Sequence, residues 1–379
     1  MSLDRVIIDE LVLNLNPLQT AGRTSAETRK AVTRFADGYS VCDRCNGVLH
    51  DIEKPDICGF VKQLADFLGI DRAATTMGAR EGKFAVFHSV AQPGDTVVVD
   101  GNAHYTTHVA AQRAGLNVIK TNHSGYPEYE ITPESYALTL DQCKTETGKP
   151  AAIALLTHVD GNYGNLTDAA AIAKVCHDAG VPIVLNTAYS SGRMPINARE
   201  LGIDFIVCSG HKSFAACGPI GIIGANGEWA DRLFRLSPTH QNKNIELLGC
   251  TARGANIVSL IAAFPEVKKR VLRWDEEVAK AQRFTAAMEA LSDNPGDIMQ
   301  IGMRPKHHDL IRLETQLFHE IGENHRKRGY YLSSELGDRG IAGLKPGQTK
   351  WFKISTYGFS DTQLDYIINA FTEIAALRF

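Results

Sequence analysis

Residues 204–224 read DFIVCSGHKSFAACGPIGIIG. Two apolar stretches within them, Asp204–Ser209 and Ile220–Gly224, are predicted to be buried strands. Similar short apolar stretches alternate with helix-like segments from about residue 75 onward. Strands spaced by helices predict a parallel or mostly parallel sheet covered by helices on both faces. The sequence therefore predicts an α/β fold, in which functional sites lie beyond the carboxyl ends of the strands.

The periodicity also predicts the order of elements around this sheet. Further strands are predicted at Thr96–Asp100, Asn117–Thr121, Ala151–Thr157 and Pro182–Asn186, and helices at Gly78–Gln92, Tyr105–Ala114, Pro133–Thr145 and Asp168–Ala179. One long helix over Asn256–Leu291 and a Pro/Gly-containing linker over 293–306 lead to the C-terminal part. There we predict strands at Asp309–Glu314 and Thr349–Ser355, and helices at Gln316–Arg328 and Asp361–Leu377.

These elements predict four parts along the chain. Residues 1–70 are an N-terminal extension with one helix and a cysteine-bearing loop, and residues 71–255 are the large domain. Residues 256–292 are a long connecting helix, and residues 293–379 are a small C-terminal α+β domain.

Composition excludes several classes of protein. The chain has 379 residues, 44% of them hydrophobic and 22% charged, with a net charge of -3. Any nucleic-acid contact is therefore expected through a local patch, and the candidates are Lys268–Arg270 with Arg273, and Arg326–Arg328. No apolar run reaches the roughly 20 residues that span a bilayer, and the N-terminus does not resemble a signal peptide. We expect a cytoplasmic protein without membrane contact.

Lys212 is the strongest candidate for chemistry. It follows a predicted strand directly, so it is expected to project into the cleft at the carboxyl end of that strand. Gly210 and Gly218 permit tight turns around it. A partly buried lysine of this kind is neutral enough to bind an aldehyde cofactor through its amine and mobile enough to move protons afterwards.

A second candidate is the loop that opens the first helix after residue 75, with Gly78, Ala79, Arg80 and Glu81 in sequence. Free N–H groups at a helix N-terminus bind phosphate, and an arginine adds a planar pair of donors. Ser209 and His211, which flank Lys212 in sequence, are expected to help hold the same phosphate. The loop predicts an anion site.

Three further residues lie at the end of a predicted strand or after one, and are expected at the same edge of the sheet. His104 is expected to stack on a cofactor ring, and Asn162 to donate to the phenolic oxygen of that ring. Asn186 ends the strand Pro182–Asn186, at a position where an aspartate usually pairs with a pyridine nitrogen. An asparagine there hydrogen-bonds but brings no charge.

The chain has eight cysteines. Cys58, Cys143, Cys176 and Cys208 lie in apolar or helical contexts and are predicted to be core residues. Cys42 and Cys45 have the C-x-x-C spacing of metal, cluster and redox sites, and Cys250 lies in another turn-like segment. Three cysteines suit either a sulfur carrier or an iron–sulfur cluster with one ligand missing, and the sequence leaves both open.

Together these segments resemble the archaeal Sep-tRNA:Cys-tRNA synthase family over nearly the whole chain. The strings that carry the resemblance are Asn14–Thr20, Cys42–Gly47, Gly78–Glu81, Asp160–Asn165, Gly192–Pro195, Ser209–Ser213, Glu246–Gly254 and Ile354–Gly358. The resemblance implies a pyridoxal phosphate (PLP) enzyme of fold type I, an aminotransferase-like homodimer. It implies conversion of O-phosphoseryl-tRNA(Cys) to cysteinyl-tRNA(Cys) by β-elimination of phosphate and addition of sulfur.

The resemblance also implies roles for individual residues. PLP is expected on Lys212 with its phosphate near Gly78 and Ala79, and Thr251 is expected to reach it from a second subunit. Since developing charge needs fixed donors, Arg80 and His104 are expected to neutralise the phosphate of the substrate. The sulfur is carried on Cys42, Cys45 or Cys250 or is released as sulfide from a cluster. Implied partners are O-phosphoseryl-tRNA synthetase and a sulfur donor.

Two other functions stay open at this point. A cysteine desulfurase or lyase that acts on free amino acids has a related architecture, although such an enzyme is expected to have an aspartate near Asn186 and a single mobile cysteine. A catalytically silent tRNA-binding scaffold is the other, and an intact Lys212 argues against it.

Overall fold

The computed structural model describes residues 12–36, 55–248 and 254–377. Its larger sheet contains β2 (Arg72–Thr76), β3 (Thr96–Val99), β4 (Asn117–Lys120), β5 (Ile153–Thr157), β6 (Ile183–Asn186), β7 (Phe205–Ser209) and β8 (Gly221–Ala225). They lie in the order β2-β8-β7-β6-β5-β3-β4. β8 is antiparallel to both its neighbours and all other pairs are parallel. The predicted mostly parallel sheet is confirmed.

Helices cover both faces of this sheet because the buried strands are apolar on both sides. One face packs on α2 (Ile57–Leu68), α5 (Pro133–Thr147), α6 (Ala169–Asp178) and α9 (Gly254–Arg270). The other face packs on α3 (Ala79–Val90), α4 (Tyr105–Arg113) and α8 (Gly227–Leu233). Successive residues of β3 contribute to the two cores in turn: Val98 faces the first, and Val97 and Val99 face the second.

A smaller antiparallel sheet forms the centre of the C-terminal part. Its strands are β9 (Ile298–Ile301), β10 (Leu310–Thr315) and β12 (Trp351–Ser355), with β10 in the middle. It packs on α10 (Trp274–Glu289), α11 (Gln316–Asn324), α12 (Tyr331–Asp338) and α13 (Asp361–Ala375). Leu15 enters this core, and the adjacent β1 (Leu13–Asn14) pairs with β11 (Ile341–Ala342).

The long helix predicted over Asn256–Leu291 is wrong in one respect: the structure divides it. α9 ends at Arg270, a 3-10 turn covers Val271–Arg273, and α10 begins at Trp274. The Arg270 guanidinium holds the end of α9 by donating to the carbonyls of Gly192, Ala21 and Ser213. Three acidic residues in the first turn of α10 favour a new helix start there.

Other differences are local. The predicted linker over 293–306 contains β9, and the described part of residues 1–70 contains two α-helices where one was predicted, α1 (Ala26–Arg34) and α2. Cys143, Cys176 and Cys208 are buried as predicted, whereas Cys58 is exposed because it lies on the solvent-facing side of α2. The proposed domain boundaries stay a prediction.

In the described ranges, no helix combines the length and the apolar character needed to cross a membrane.

Candidate active site

Lys212 lies on α7 (Gly210–Ser213), a single turn that begins directly after β7. Its Nζ is 4.4 Å from the centroid of the Tyr189 ring. Burial, with a further contribution from the positive charge of Arg193, lowers the pKa of Lys212 to about 8. A lysine in this state carries an appreciable fraction of neutral, nucleophilic amine near neutral pH.

The neighbouring strands bring polar groups to the same edge of the sheet. Asn186 ends β6, where it pairs with Val207 of β7 on one side and Thr157 of β5 on the other. It is only 3% exposed. Its Oδ1 accepts from the amide of Ala188 at 3.4 Å, and its Nδ2 donates to no partner among the described residues. The amide nitrogen is therefore available to a ligand.

The N-terminus of α3 lies beside this edge. Gly78 precedes the helix with φ +147°, and a Cβ built on it meets nothing within 4 Å. A Cβ on Gly221 of β8, in contrast, would lie 2.5 Å from the carbonyl carbon of Gly78. Glycine at 221 therefore permits the loop to approach the sheet closely, and glycine at 78 leaves open space in front of the free N–H groups.

Arg80 and Tyr105 form the outer rim of the cleft. Nη2 of Arg80 donates to the hydroxyl of Tyr105 at 3.1 Å, and its Cζ lies 5.5 Å from the centroid of that ring. The Tyr105 side chain is mostly exposed, and no carboxylate pairs with Arg80 in the described residues. The guanidinium is thus held in place while its remaining donors stay free for an anion.

His104 caps α4 and is neutral at physiological pH. Burial, then the charges of Lys212 and Lys83, lower the pKa of His104 to about 4. The amide of Thr106 donates to its Nδ1 at 3.3 Å, so in the neutral ring the proton is on Nε2. Nε2–H of His104 is therefore available as a hydrogen-bond donor.

Lys83 is a site residue that the sequence analysis missed. It is buried on α3, and its Nζ donates to the hydroxyls of Thr106 and Thr107 at 3.0 Å each. Burial and the charge of Lys212 lower its pKa to about 7. The signal was present in the sequence, since this lysine directly precedes the apolar run Phe84–Phe87 of the predicted helix.

The loop Asp160–Asn165 follows β5 and is organised by one carboxylate. Asp160 accepts from the amides of Asn162, Tyr163 and Asn165 at 2.7–3.0 Å. This leaves the Asn162 side chain exposed and without a partner among the described residues. Lys353 of β12 donates to the carbonyl of Gly161 at 2.8 Å and was also missed.

Ser209 and His211 lie next to Lys212. The Ser209 hydroxyl is 3.3 Å from the His211 ring, and the ring lies 3.3 Å from the carbonyl of Ile220.

The described structure brings together Lys212, Asn186, His104, Arg80 and the Gly78–Ala79 helix start. Cys42, Cys45, Cys250 and Thr251 lie outside the described residues. Within the described residues, no group of three or more His, Cys, Asp or Glu side chains is arranged to hold a metal ion.

One of the two predicted basic surfaces, Lys268–Arg270, is only partly exposed in the structure. Lys268 and Lys269 are exposed on α9, but the Arg270 side chain turns inward to the carbonyls that surround the Lys212 loop. Burial lowers the pKa of Arg270. Arg270 therefore stabilises the loop that carries Lys212 and does not belong to a solvent-facing basic patch.

The chain can be compared with known proteins. A family profile described as O-phosphoseryl-tRNA(Sec) selenium transferase, SepSecS, matches residues 87–376. The O-phospho-L-seryl-tRNA:Cys-tRNA synthase of Methanothermobacter thermautotrophicus is 53% identical over 96% of this chain and 94% of its own length. SepCysS in the solved SepCysS–SepCysE N-terminal domain complex is similar with a TM-score of 0.90, 43% identity and 99% coverage of both chains.

A cysteine desulfurase from Thermococcus onnurineus NA1 is similar in fold, with a TM-score of 0.74 and 16% identity over 96% of this chain and 95% of its own. At that identity the likeness concerns the fold alone, and it agrees with the fold-type-I architecture that the family resemblance implies. Identity of about half over nearly full length is a different level of similarity, and the chain belongs to the O-phospho-L-seryl-tRNA:Cys-tRNA synthase family.

Proposed function

We propose that this chain converts O-phosphoseryl-tRNA(Cys) to cysteinyl-tRNA(Cys) with pyridoxal phosphate bound to Lys212. The observation that carries the proposal is a lysine of lowered pKa, at the carboxyl edge of the sheet, in a chain 53% identical to a synthase of that name. The test is phosphate release and cysteine formation from O-phosphoseryl-tRNA(Cys) in the presence of a sulfide donor. The proposal fails if neither product forms with cofactor-loaded protein.

The described residues fit this cofactor. The open space at Gly78 in front of the α3 N-terminus suits its phosphate, with Ser209 and His211 close by. The free Nδ2 of Asn186 suits a neutral pyridine nitrogen, to which an amide donates without supplying charge. His104 would stack on the face of the cofactor ring, and Asn162 would donate a hydrogen bond to its phenolic oxygen. When bound, pyridoxal phosphate withdraws electrons from the α-carbon of the amino acid.

The residues of the chain supply the proton transfers and the anion binding. Lys212, once displaced by the amine of the substrate, is the base for the α-proton, and its lowered pKa of about 8 keeps it partly neutral. Arg80 offers a planar fork of donors to the departing phosphate, and Nε2–H of His104 adds a neutral hydrogen bond. Sulfur then bonds to the carbon that lost the phosphate, and Lys212 returns a proton.

The pH dependence of cofactor binding is expected to report the lowered pKa of Lys212. Only the neutral amine attacks an aldehyde, so the rate of binding to the cofactor-free protein should rise with pH and level off above about 8. An ordinary lysine has a midpoint near about 10.4. Stopped-flow absorbance from pH 6 to about 10.5 measures the midpoint, with N-acetyl-lysine as the reference amine. A midpoint close to that of the reference would contradict the buried site.

Serine variants of the three cysteines are expected to lose sulfur transfer and to keep phosphate release. Cys42→Ser, Cys45→Ser and Cys250→Ser should each lower cysteinyl-tRNA formation at least about tenfold, because a hydroxyl carries no transferable sulfur. Phosphate release should continue. Cys143→Ser, whose thiol is buried on α5, is the control and should leave sulfur transfer per folded molecule unchanged. If only one variant matters, a single sulfur carrier is favoured over a cluster, and full activity in all three removes the relay.

A cysteine desulfurase or lyase on free amino acids is the alternative function. It has the same fold, and it is distinguished by alanine release from free cysteine as against phosphate release from O-phosphoseryl-tRNA(Cys). Asn186 in place of an aspartate favours the synthase. The homodimer, the synthetase partner, the sulfur donor and the cytoplasmic location belong to the same proposal, and SepCysE, which accompanies SepCysS in the solved complex, is a further candidate partner.

A further inference from the structure

One face of the small sheet carries a row of basic and aromatic side chains. β10 and β12 are antiparallel, with Arg312 opposite Lys353 and Glu314 opposite Trp351. Alternate residues of β12 point to opposite faces, so Phe352 and Ile354 enter the core, while Trp351 and Lys353 share the other face with Arg312. This row, Lys353–Arg312–Trp351, faces the Asp160–Asn165 loop of the larger sheet.

Arg312 sits between two aromatic rings. Its Cζ is 4.5 Å from the centroid of Trp351 and 5.3 Å from that of Tyr163. Tyr163 in turn stacks on Tyr129, with centroids 4.1 Å apart and planes 5° from parallel. The four side chains form a continuous stack, with Trp351 at one end and Tyr129 at the other. The Arg312 Nε is buried and has no hydrogen-bond partner in the described structure, so stacking is what orients the guanidinium and the indole.

Trp351 also lines an open cavity of about 690 Å³. Arg328, Lys345 and Lys350 line the same cavity, and Tyr330, 63% exposed, stands in its wall. None of the three cations pairs with a carboxylate in the described part of the chain. The one acidic side chain in the lining is Glu323, which lies 3.5 Å from His319. The cavity therefore combines a net positive charge with two aromatic side chains.

The inner end of the row reaches the candidate active site. Lys353 holds the Gly161 carbonyl at 2.8 Å, and its charge contributes to the lowered pKa values of both Lys212 and His104. Ser355, two residues further along β12, donates to Asp309, and the same carboxylate pairs with Arg193 beside Lys212. From Trp351 to Ser355 the strand covers about 13 Å, a span that a few extended nucleotides cover.

We propose that the cavity beside Trp351 binds the unpaired 3′-terminal nucleotides of the tRNA substrate, with bases stacked on Trp351 and Tyr330 and phosphates on Arg328, Lys345 and Lys350. The proposal rests on the proposed function. Single-stranded nucleic acid is bound by this combination, in which cations follow the backbone and aromatic rings accept bases of any sequence. Lys353, two residues from Trp351 on β12, connects this cavity with the loop beside Lys212.

The test uses binding of uncharged tRNA(Cys), so that it does not depend on turnover. The full-length protein is titrated with intact tRNA(Cys) and with the same tRNA lacking its 3′-terminal CCA. Lys345→Ala/Lys350→Ala should weaken binding of the intact tRNA about tenfold and reduce the slope of log K against log salt by about 1.4, the value for two phosphate contacts on a single strand. The truncated tRNA should bind both proteins equally.

Matched variants separate binding from folding. Lys62→Ala/Lys144→Ala, which removes two exposed lysines from α2 and α5, should bind like the unchanged protein. Trp351→Leu should weaken binding of the intact tRNA about tenfold, and Trp351→Phe should restore most of it, because stacking needs an aromatic face. Trp229→Leu is the control, since Trp229 also contacts an arginine, Arg232, at 5.0 Å but lies on α8.

Two results would overturn the inference. One is that the variants lose the same affinity for intact and for truncated tRNA. The other is that the Trp351 variants have a lowered thermal midpoint while the lysine variants bind tRNA with unchanged affinity. In that case the stack serves only as a contact between the two sheets. The proposed function is judged separately: if the unchanged protein binds tRNA(Cys) through its 3′ end but releases no phosphate from O-phosphoseryl-tRNA(Cys), the function fails and the binding site stands.

Discussion

Lys212→Ala is expected to lower the rate of phosphate release from O-phosphoseryl-tRNA(Cys) at least about 10⁴-fold, because one amine holds the cofactor, removes the α-proton and returns it. The visible absorbance of the covalently held cofactor should disappear. Alanine at this position removes charge from a buried site and leaves the surrounding backbone unchanged, so the folded state should persist. Single-turnover assays with radiolabelled substrate and an absorbance spectrum measure the two effects together.

Lys174→Ala is the control for this experiment. Lys174 is exposed on α6 and pairs with Asp178 at 2.6 Å, so its loss should change neither the spectrum nor the rate. An added small amine should recover part of the proton transfer in Lys212→Ala. Turnover by Lys212→Ala with cofactor and without any added amine would remove Lys212 from the mechanism.

Asp309→Asn is expected to produce the largest loss of stability. Asp309 and Arg193 are fully buried and form an ion pair at 2.5 Å, and Arg193 also donates to the Pro17 carbonyl at 2.7 Å and the Ser213 hydroxyl at 3.2 Å. Burial alone would raise the pKa of Asp309, but Arg193, His308 and Ser355 outweigh it and the pKa is lowered. Removing one partner of a buried pair costs about 3–5 kcal/mol, because the other charge stays buried without compensation.

The thermal midpoint measured by circular dichroism should fall by roughly 4–6 °C. Asp231→Asn makes the same chemical change in the exposed pair with Arg72 and should shift the midpoint by no more than about 1 °C. The double variant Arg193→Met/Asp309→Leu should be more stable than Asp309→Asn, because it removes both charges. Equal midpoints for Asp309→Asn and the unchanged protein would mean that the pair contributes nothing.

The same pair predicts the response to acid. Since the pKa of Asp309 is lowered in the folded state, its contribution to the free energy of unfolding is fully present above about pH 4, the ordinary aspartate value. It is lost as the pH falls through the lower folded-state pKa. Asp309→Asn should therefore lose less stability on acidification than the unchanged protein does.

Local sequence patterns predicted most of the larger sheet. Its strands β3 and β5 to β8 are short apolar runs, and the helices between them begin at residues that favour a helix start, such as Thr132 and Asp168, whose side chains accept from the first turn. β2 was missed because Arg72–Thr76 contains alanine and threonine and lacks the bulky apolar residues of its neighbours. It is a strand because β8 pairs with it, which is a tertiary effect.

The sequence by itself determined which residue types stand at the ends of the strands. Asn186 ends a strand, and Lys212 and His104 follow strands within a few positions. The carboxyl ends of parallel strands meet at one edge, so their convergence was predictable. The protonation state of each of these residues was not predictable, because it depends on groups that are distant in sequence. Only the tertiary structure buries His104 beside Lys83 and Lys212, which lowers its pKa and makes it a neutral donor. Only the tertiary structure turns Arg270 inward and aligns Arg312 with Trp351 and Tyr163, because side-chain direction is set by packing between elements far apart in the chain.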